Sequence, residues 1–144
     1  MSANWRQITL AASAARTVTV GTNGDTVNVD AWERALLLCA FTNKATDSGD
    51  LCDVYVDVSP DGGTTWLNAV HFTQALGNGT DAATEYAVLY ANTPGTAIVV
   101  ATADAASTAV RPTLFGNAIR ARWIIFDAGT VDATFTFGVK AFLQ

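Results

Sequence analysis

Residues 54–70, VYVDVSPDGGTTWLNAV, constrain the fold of this chain more than any other stretch. Val54, Val56 and Val58 alternate with Tyr55 and Asp57, the period-2 signature of a strand with one apolar face. The run enters a polar corner containing Pro60, Asp61, Gly62 and Gly63, and Trp66 leads into a second apolar run. Turn formers between two such runs specify a β-hairpin. Ser59, Asp61, Gly63, Thr65 and Trp66 are the structural residues of this corner. The Asp61 carboxylate accepts bonds from N–H groups that the corner leaves unpaired, Gly62 or Gly63 supplies a positive φ, and Trp66 lies across the hairpin as a lid.

Strand patterning extends along the chain. Residues 5–10 read as a short first strand, followed by alanines of ambiguous structure. Residues 17–20, a turn at Asn23-Gly24 and residues 26–29 read as strand, turn, strand. Residues 34–42 are almost continuously apolar, which predicts a strand covered on both faces. In residues 51–58, Cys52, Val54, Val56 and Val58 share one face, and Asp53, Tyr55 and Asp57 the other; the expectation is that only the first is core. Residues 66–72, 85–90, 119–126 and 133–142 complete the set, with Phe135, Phe137, Val139 and Ala141 inward in the last. No convincing helix appears. Eight or nine short strands separated by turns predict an all-β, jelly-roll-like β-sandwich of about eight antiparallel strands.

The 144 residues form a single domain, 1–144, with residues 1–15 as an extended N-terminal arm and 91–117 as a long Ala/Thr-rich loop or insertion. A long uncharged segment inside a compact domain is uncommon unless it is functional or mobile, so 91–117 is the main candidate for a surface that contacts another molecule. Residues 11–15, AASAA, lack a cationic and an apolar region before them and read as mature sequence, without an export signal. No apolar run approaches the ~20 residues of a membrane span.

Charge narrows the function. The net charge is -5, only 15% of residues are charged, and Lys44 and Lys140 are the only lysines. This disfavours nucleic acid and anionic membranes as partners, both of which require clustered cations. Cys39 and Cys52 lie within apolar runs and read as small hydrophobes; with His71 as the single histidine, no spacing supports zinc. Asp47, Asp50, Asp53 and Asp57 make a calcium site conceivable, but without EF-hand spacing the expectation is no metal and no cofactor. Arg120 and Arg122 share a strand face and suit a carboxylate or phosphate, an acid on a neighbouring strand, or a partner subunit. His71 has no nucleophile motif to serve, and no catalytic residue is assigned.

The corner matches the Ser-x-Asp-x-Gly-x-Thr-Trp pattern of the Asp box, which is best known from sialidases. A propeller needs several repeats of ~40–50 residues. One box in 144 residues makes Asp61 a brace rather than an active-site acid.

Trp32-Glu33-Arg34, Asp53 through Trp66, Arg120-Ala121-Arg122-Trp123 and Thr134-Phe135-Thr136-Phe137-Gly138-Val139 follow one another over residues 32–143 in an order that resembles small virion proteins of tailed bacteriophages, the head decoration or cement proteins. The resemblance implies a non-enzymatic jelly-roll protein that binds the assembled head and clamps major capsid subunits. Its partners would be the major capsid protein and copies of itself, as a trimer or dimer. Its location would be the capsid surface, with host cytoplasm during assembly. Trp5, Trp32, Arg120, Arg122, Ile98 and Val99 are the partner-contact candidates. The alternative is a carbohydrate-binding or head/tail fibre domain that uses Trp5, Trp32, Tyr55 or Tyr86.

Overall fold

The computed structural model describes residues 4–17, 22–29, 32–78, 83–91, 104–111 and 116–144, and these contain ten strands and no helix. The strands are β1 (Arg6–Arg16), β2 (Thr22–Asn23), β3 (Val27–Asn28), β4 (Arg34–Asn43), β5 (Leu51–Ser59), β6 (Leu67–His71), β7 (Ala75–Leu76), β8 (Ala83–Tyr90), β9 (Ala118–Phe126) and β10 (Phe135–Leu143). One sheet runs β1-β10-β4-β8; the other runs β2-β9-β5-β6, with β3 also on β9 and β7 also on β5. All pairings are antiparallel. Counting β2 with β3 and β6 with β7 as interrupted single strands leaves eight, ordered 1-8-3-6 and 2-7-4-5. That is the interleaved arrangement of a jelly roll.

Alternation builds the core between the sheets. Ala35, Leu37, Cys39 and Phe41 of β4 and Phe135, Phe137, Val139 and Ala141 of β10 face Cys52, Val54, Val56 and Val58 of β5 and Ile119, Ala121, Trp123 and Ile125 of β9. Phe137 lies at its centre, 5.1 Å from the Phe41 ring and edge-on to Trp123 at 5.6 Å. Such aromatic pairs add about 0.5–1.5 kcal/mol each beyond the area they bury.

Four expectations change. Residues 6–16 are not an arm: β1 pairs with β10 from Arg6↔Leu143 to Arg16↔Phe135, and the alanines belong to the strand. Bulges between Thr9 and Ala11 and between Ala11 and Ala14 explain why its alternation is poor in sequence.

Asn23-Gly24 is not a hairpin turn. β2 and β3 both lie along β9, Thr22 opposite Trp123 and Val27 opposite Ile119, so the chain continues in one direction through an interruption. Gly24 N–H donates to Ala121 O at 2.8 Å and Asp25 N–H to Leu10 O at 3.0 Å. A Cβ on Gly24 would sit 2.1 Å from Leu10 O, so the glycine serves a close approach between the sheets rather than a turn. Residues 18–20 of the first expected strand lie outside the described residues.

β4 is core on one face only, because Leu36, Leu38 and Ala40 are half-buried on the outer face of its sheet. Conversely, β5 is buried on both faces: Tyr55, Asp57 and Ser59 are as enclosed as the valines. Residues 104–111 lie over this second face. Val110 bridges Val70, His71 N–H donates to Ala109 O and Arg111 N–H to Ala69 O.

Candidate functional site

The Ser59–Trp66 corner joins β5 to β6 and is held from within. Asp61 Oδ1 accepts from Thr65 N–H at 2.7 Å, Thr64 N–H at 3.1 Å and the Ser59 hydroxyl at 2.8 Å. Ser59 Oγ in turn accepts from Gly63 N–H at 2.8 Å. Gly62 and Gly63 take positive φ, 72° and 104°, in a region that side chains disfavour. The Thr65 N–H, with the Thr65 and Ser59 hydroxyls, holds the Asp61 carboxyl down to about 2. Asn117 fastens the corner to β9: its side chain accepts from Gly62 N–H at 2.9 Å, and its own N–H donates to Ser59 O at 2.8 Å. The bonds of Ser59, Asp61, Gly63 and Thr65 thus run within the corner and to its neighbour Asn117.

The outer face of β5, β6 and β9 carries a buried ionic cluster. Register places Tyr55 opposite both His71 and Arg122, and Asp57 opposite both Asn68 and Arg120. Asp57, 2% exposed, accepts from Arg122 Nε at 2.9 Å, from Arg120 at 3.4 Å and from Asn68 at 3.1 Å. Arg122 also donates to Asp104 at 2.8 Å and stacks 4.1 Å over Tyr55, while Arg120 stacks 4.1 Å over Trp66. Burial opposes the charge on Arg122, but the hydrogen bonds it donates to Asp57 and then Asp104, with their charges, outweigh it and raise its pKa. Burial, then the charges of Asp53 and Asp104, pushes the Tyr55 hydroxyl up to about 12.

A second group adjoins it. Asp53 accepts from Gln74 at 3.1 Å and lies 2.8 Å from His71 Nε2, while His71 Nδ1 faces Ala105 O at 2.8 Å. Asn68 Oδ1 accepts from Ala105 N–H at 2.8 Å, and Arg111 donates to Asn68 O at 2.9 Å. These bonds fasten residues 104–111 to the sheet. Asp53, Asp57, Asn68, His71, Asp104, Arg120 and Arg122 are each bonded to another member of these two groups. Sequence reading missed Asn68, Gln74, Asp104 and Arg111, whose partners come from remote segments.

The remaining candidates disperse. Trp32 is 5% exposed and belongs to the core, so it is neither a partner contact nor a sugar platform. Tyr55, 6% exposed and stacked between His71 and Arg122, offers no sugar face either. Arg120 and Arg122 are engaged within the chain rather than presented to a partner. Trp5 is 45% exposed beside Arg34, and Tyr86 is 73% exposed. Ile98 and Val99 lie outside the described residues.

The four acids weighed for calcium are divided between two places. Asp47 accepts from Val131 and Thr130 N–H groups, which lower its pKa, and Asp50 accepts from Ala128 N–H, so both hold the β9–β10 turn. Asp53 and Asp57 belong to the outer-face cluster. No cluster with metal-ligand geometry occurs among the described residues.

The outer face of the other sheet carries apolar side chains beside Lys140 and several threonines. Phe142, Leu36 and Val88 stand in one cross-strand row, and Lys140, Leu38 and Tyr86 in the next. Along the edge of β8 runs a groove of about 320 Å³ lined by Val70, Phe72, Thr73, Thr108 and Val110.

No family model and no curated protein matches the chain. Solved structures do. It is similar to "Structure of infectious bursal disease virus Gx strain", with 10% identity and a TM-score of 0.57 over 97% of this chain and 31% of that one. The likeness to "Crystal structure of infectious bursal disease virus VP2 subviral particle" has 11% identity and a TM-score of 0.56, covering 97% of this chain and 32% of that one. The structure of T=1 particles derived from infectious bursal virus gives the same identity and TM-score over 97% and 31%. This chain therefore spans about a third of the length of the chains it resembles, and at these identities the likeness is one of fold.

Proposed function

We propose that the protein is a non-enzymatic structural component of a virus particle, and within that class a head decoration protein of a tailed bacteriophage that binds the assembled capsid and stabilises contacts between major capsid subunits. The observation that carries this reading is the jelly-roll order extending over nearly the whole chain, in company with proteins of virus particles. The Ser59–Trp66 hairpin and the Arg120-Ala121-Arg122-Trp123 strand, on which the resemblance to decoration proteins rests, both serve the frame of the sandwich. A frame whose buried charges are satisfied internally leaves its surface free for binding. Many weak contacts on a lattice then add by avidity, and binding only the assembled state stabilises it by mass action.

The test is co-sedimentation of purified protein with expanded empty phage capsids, followed by heat or osmotic challenge. Bound protein and a more resistant capsid are expected; absence of binding at micromolar protein overturns the reading.

Exposed Trp5 and Tyr86 favour the second reading, a carbohydrate-binding or fibre domain. Glycan-array hits abolished by Tyr86→Ala, together with no capsid binding, would replace the first reading with this one.

A further inference from the structure

The sandwich has four sheet edges, and three are protected. β1 is broken by two bulges, and its Arg16 folds over the Trp123 and Phe137 rings to donate to the carbonyls of Ala12, Ala14 and Phe137. The β2 and β3 edge consists of two-residue pieces. The edge of β6 is covered by residues 109–111. Bulges, short strands and covering segments are the usual means by which sheet edges avoid pairing with other chains.

Among the described residues, β8 has none of these. Its eight residues, ATEYAVLY, pair with β4 in unbroken register from Arg34↔Tyr90 to Phe41↔Ala83, and they include no proline, lysine or arginine. Its one charge, Glu85, is half-buried and accepts from Thr73 N–H within the chain. Ala91 N–H donates to Glu33 O at 2.7 Å, which fixes the phase of the ladder. Because antiparallel pairs alternate, Thr84, Tyr86, Val88 and Tyr90 direct their N–H and C=O groups away from β4. Those groups have no main-chain partner among the described residues. A groove runs alongside, with Thr84, Glu85, Tyr86 and Ala87 on one wall and Val70, Phe72, Thr73, Thr108 and Val110 on the other.

We propose that β8 pairs with β8 of a second copy across a two-fold axis at Ala87, joining two four-stranded sheets into one. The edge is self-complementary in this register. Tyr86 faces the partner's Val88, Thr84 faces the partner's Tyr90, and the four outward residues of each copy form hydrogen-bonded pairs. Aromatic residues opposite β-branched ones are favourable cross-strand pairs. Glu85 faces the partner's Leu89, so the net charge of -5 brings no like charges together along the seam. The row of Leu38 and Tyr86 continues into the partner's Val88 and the partner's Leu36. This is an isologous contact that closes at two copies, and it stands whether or not the capsid reading holds.

Analytical ultracentrifugation of the full chain over a range of concentrations tests it. A monomer–dimer equilibrium is expected for the wild type. Tyr86→Lys alters an exposed side chain without touching the fold and should weaken the dimer by about tenfold or more. Val88→Pro removes an N–H that β4 does not use and should abolish pairing while the far-UV circular dichroism is unchanged. Under mild oxidation, a mixture of Tyr86→Cys and Val88→Cys should form a cross-linked dimer that neither forms alone. A wild type that stays monomeric at about 100 µM, well above a micromolar Kd, overturns the proposal. So does a dimer indifferent to Tyr86→Lys. Capsid co-sedimentation is a separate readout, so failure of either leaves the other standing.

Discussion

The Asp57 carboxylate accepts a hydrogen bond from Arg122 Nε at 2.9 Å on a strand face whose alternation with valine reads as solvent-facing. The same carboxylate holds Arg120, whose guanidinium lies over Trp66. One buried acid therefore links the middle of β5 to β9 and to the corner beyond Ser59.

Asp57→Ala should destabilise the fold by about 3–5 kcal/mol, since removing one member of a buried ion pair leaves the other charge uncompensated. Urea denaturation gives the size of the loss. Trp66 fluorescence should change as Arg120 loses its anchor. A midpoint within error of the wild type would mean that the arginines find other partners at no cost.

Asp61 governs how the corner responds to acid. Its carboxyl is held below the ordinary value of about 3.9, so its contribution to stability is complete above that value and is lost as pH falls through about 2. Asp61→Ala should lower Tm by a constant amount near neutrality, and the gap to wild type should close between about pH 4 and pH 2. Scanning calorimetry along that series checks it. A gap unchanged at pH 2 would assign the loss to something other than the carboxylate.

Cys39 and Cys52 should be unreactive in the native protein. Burial, then the charge of Glu85, pushes the Cys39 thiol up to about 12, and burial raises Cys52 as well. Thiolate is the reactive form, so a disulfide reagent at about pH 8 should label neither site until guanidinium is added. Rapid labelling of one native thiol would show that its strand opens on its own.

The sequence by itself determined the strands, where alternation was clean, and the corner. Val54, Val56 and Val58 and later Phe135, Phe137 and Val139 alternate with polar or small residues, and a period of two admits one geometry. Asp61 and its two glycines carry their own partners within a few residues, so that turn needs nothing remote. Tertiary structure decided the rest. Whether Asn23-Gly24 turns the chain or lets it press against Leu10 depends on where β9 lies. Whether Asp57 meets water or two arginines depends on β9 lying beside β5, 63 to 65 positions away in sequence. Whether Trp32 is a contact or core depends on the closing of the two sheets over it. Local pattern encodes which residues share a face; only the packing of distant segments determines what that face meets.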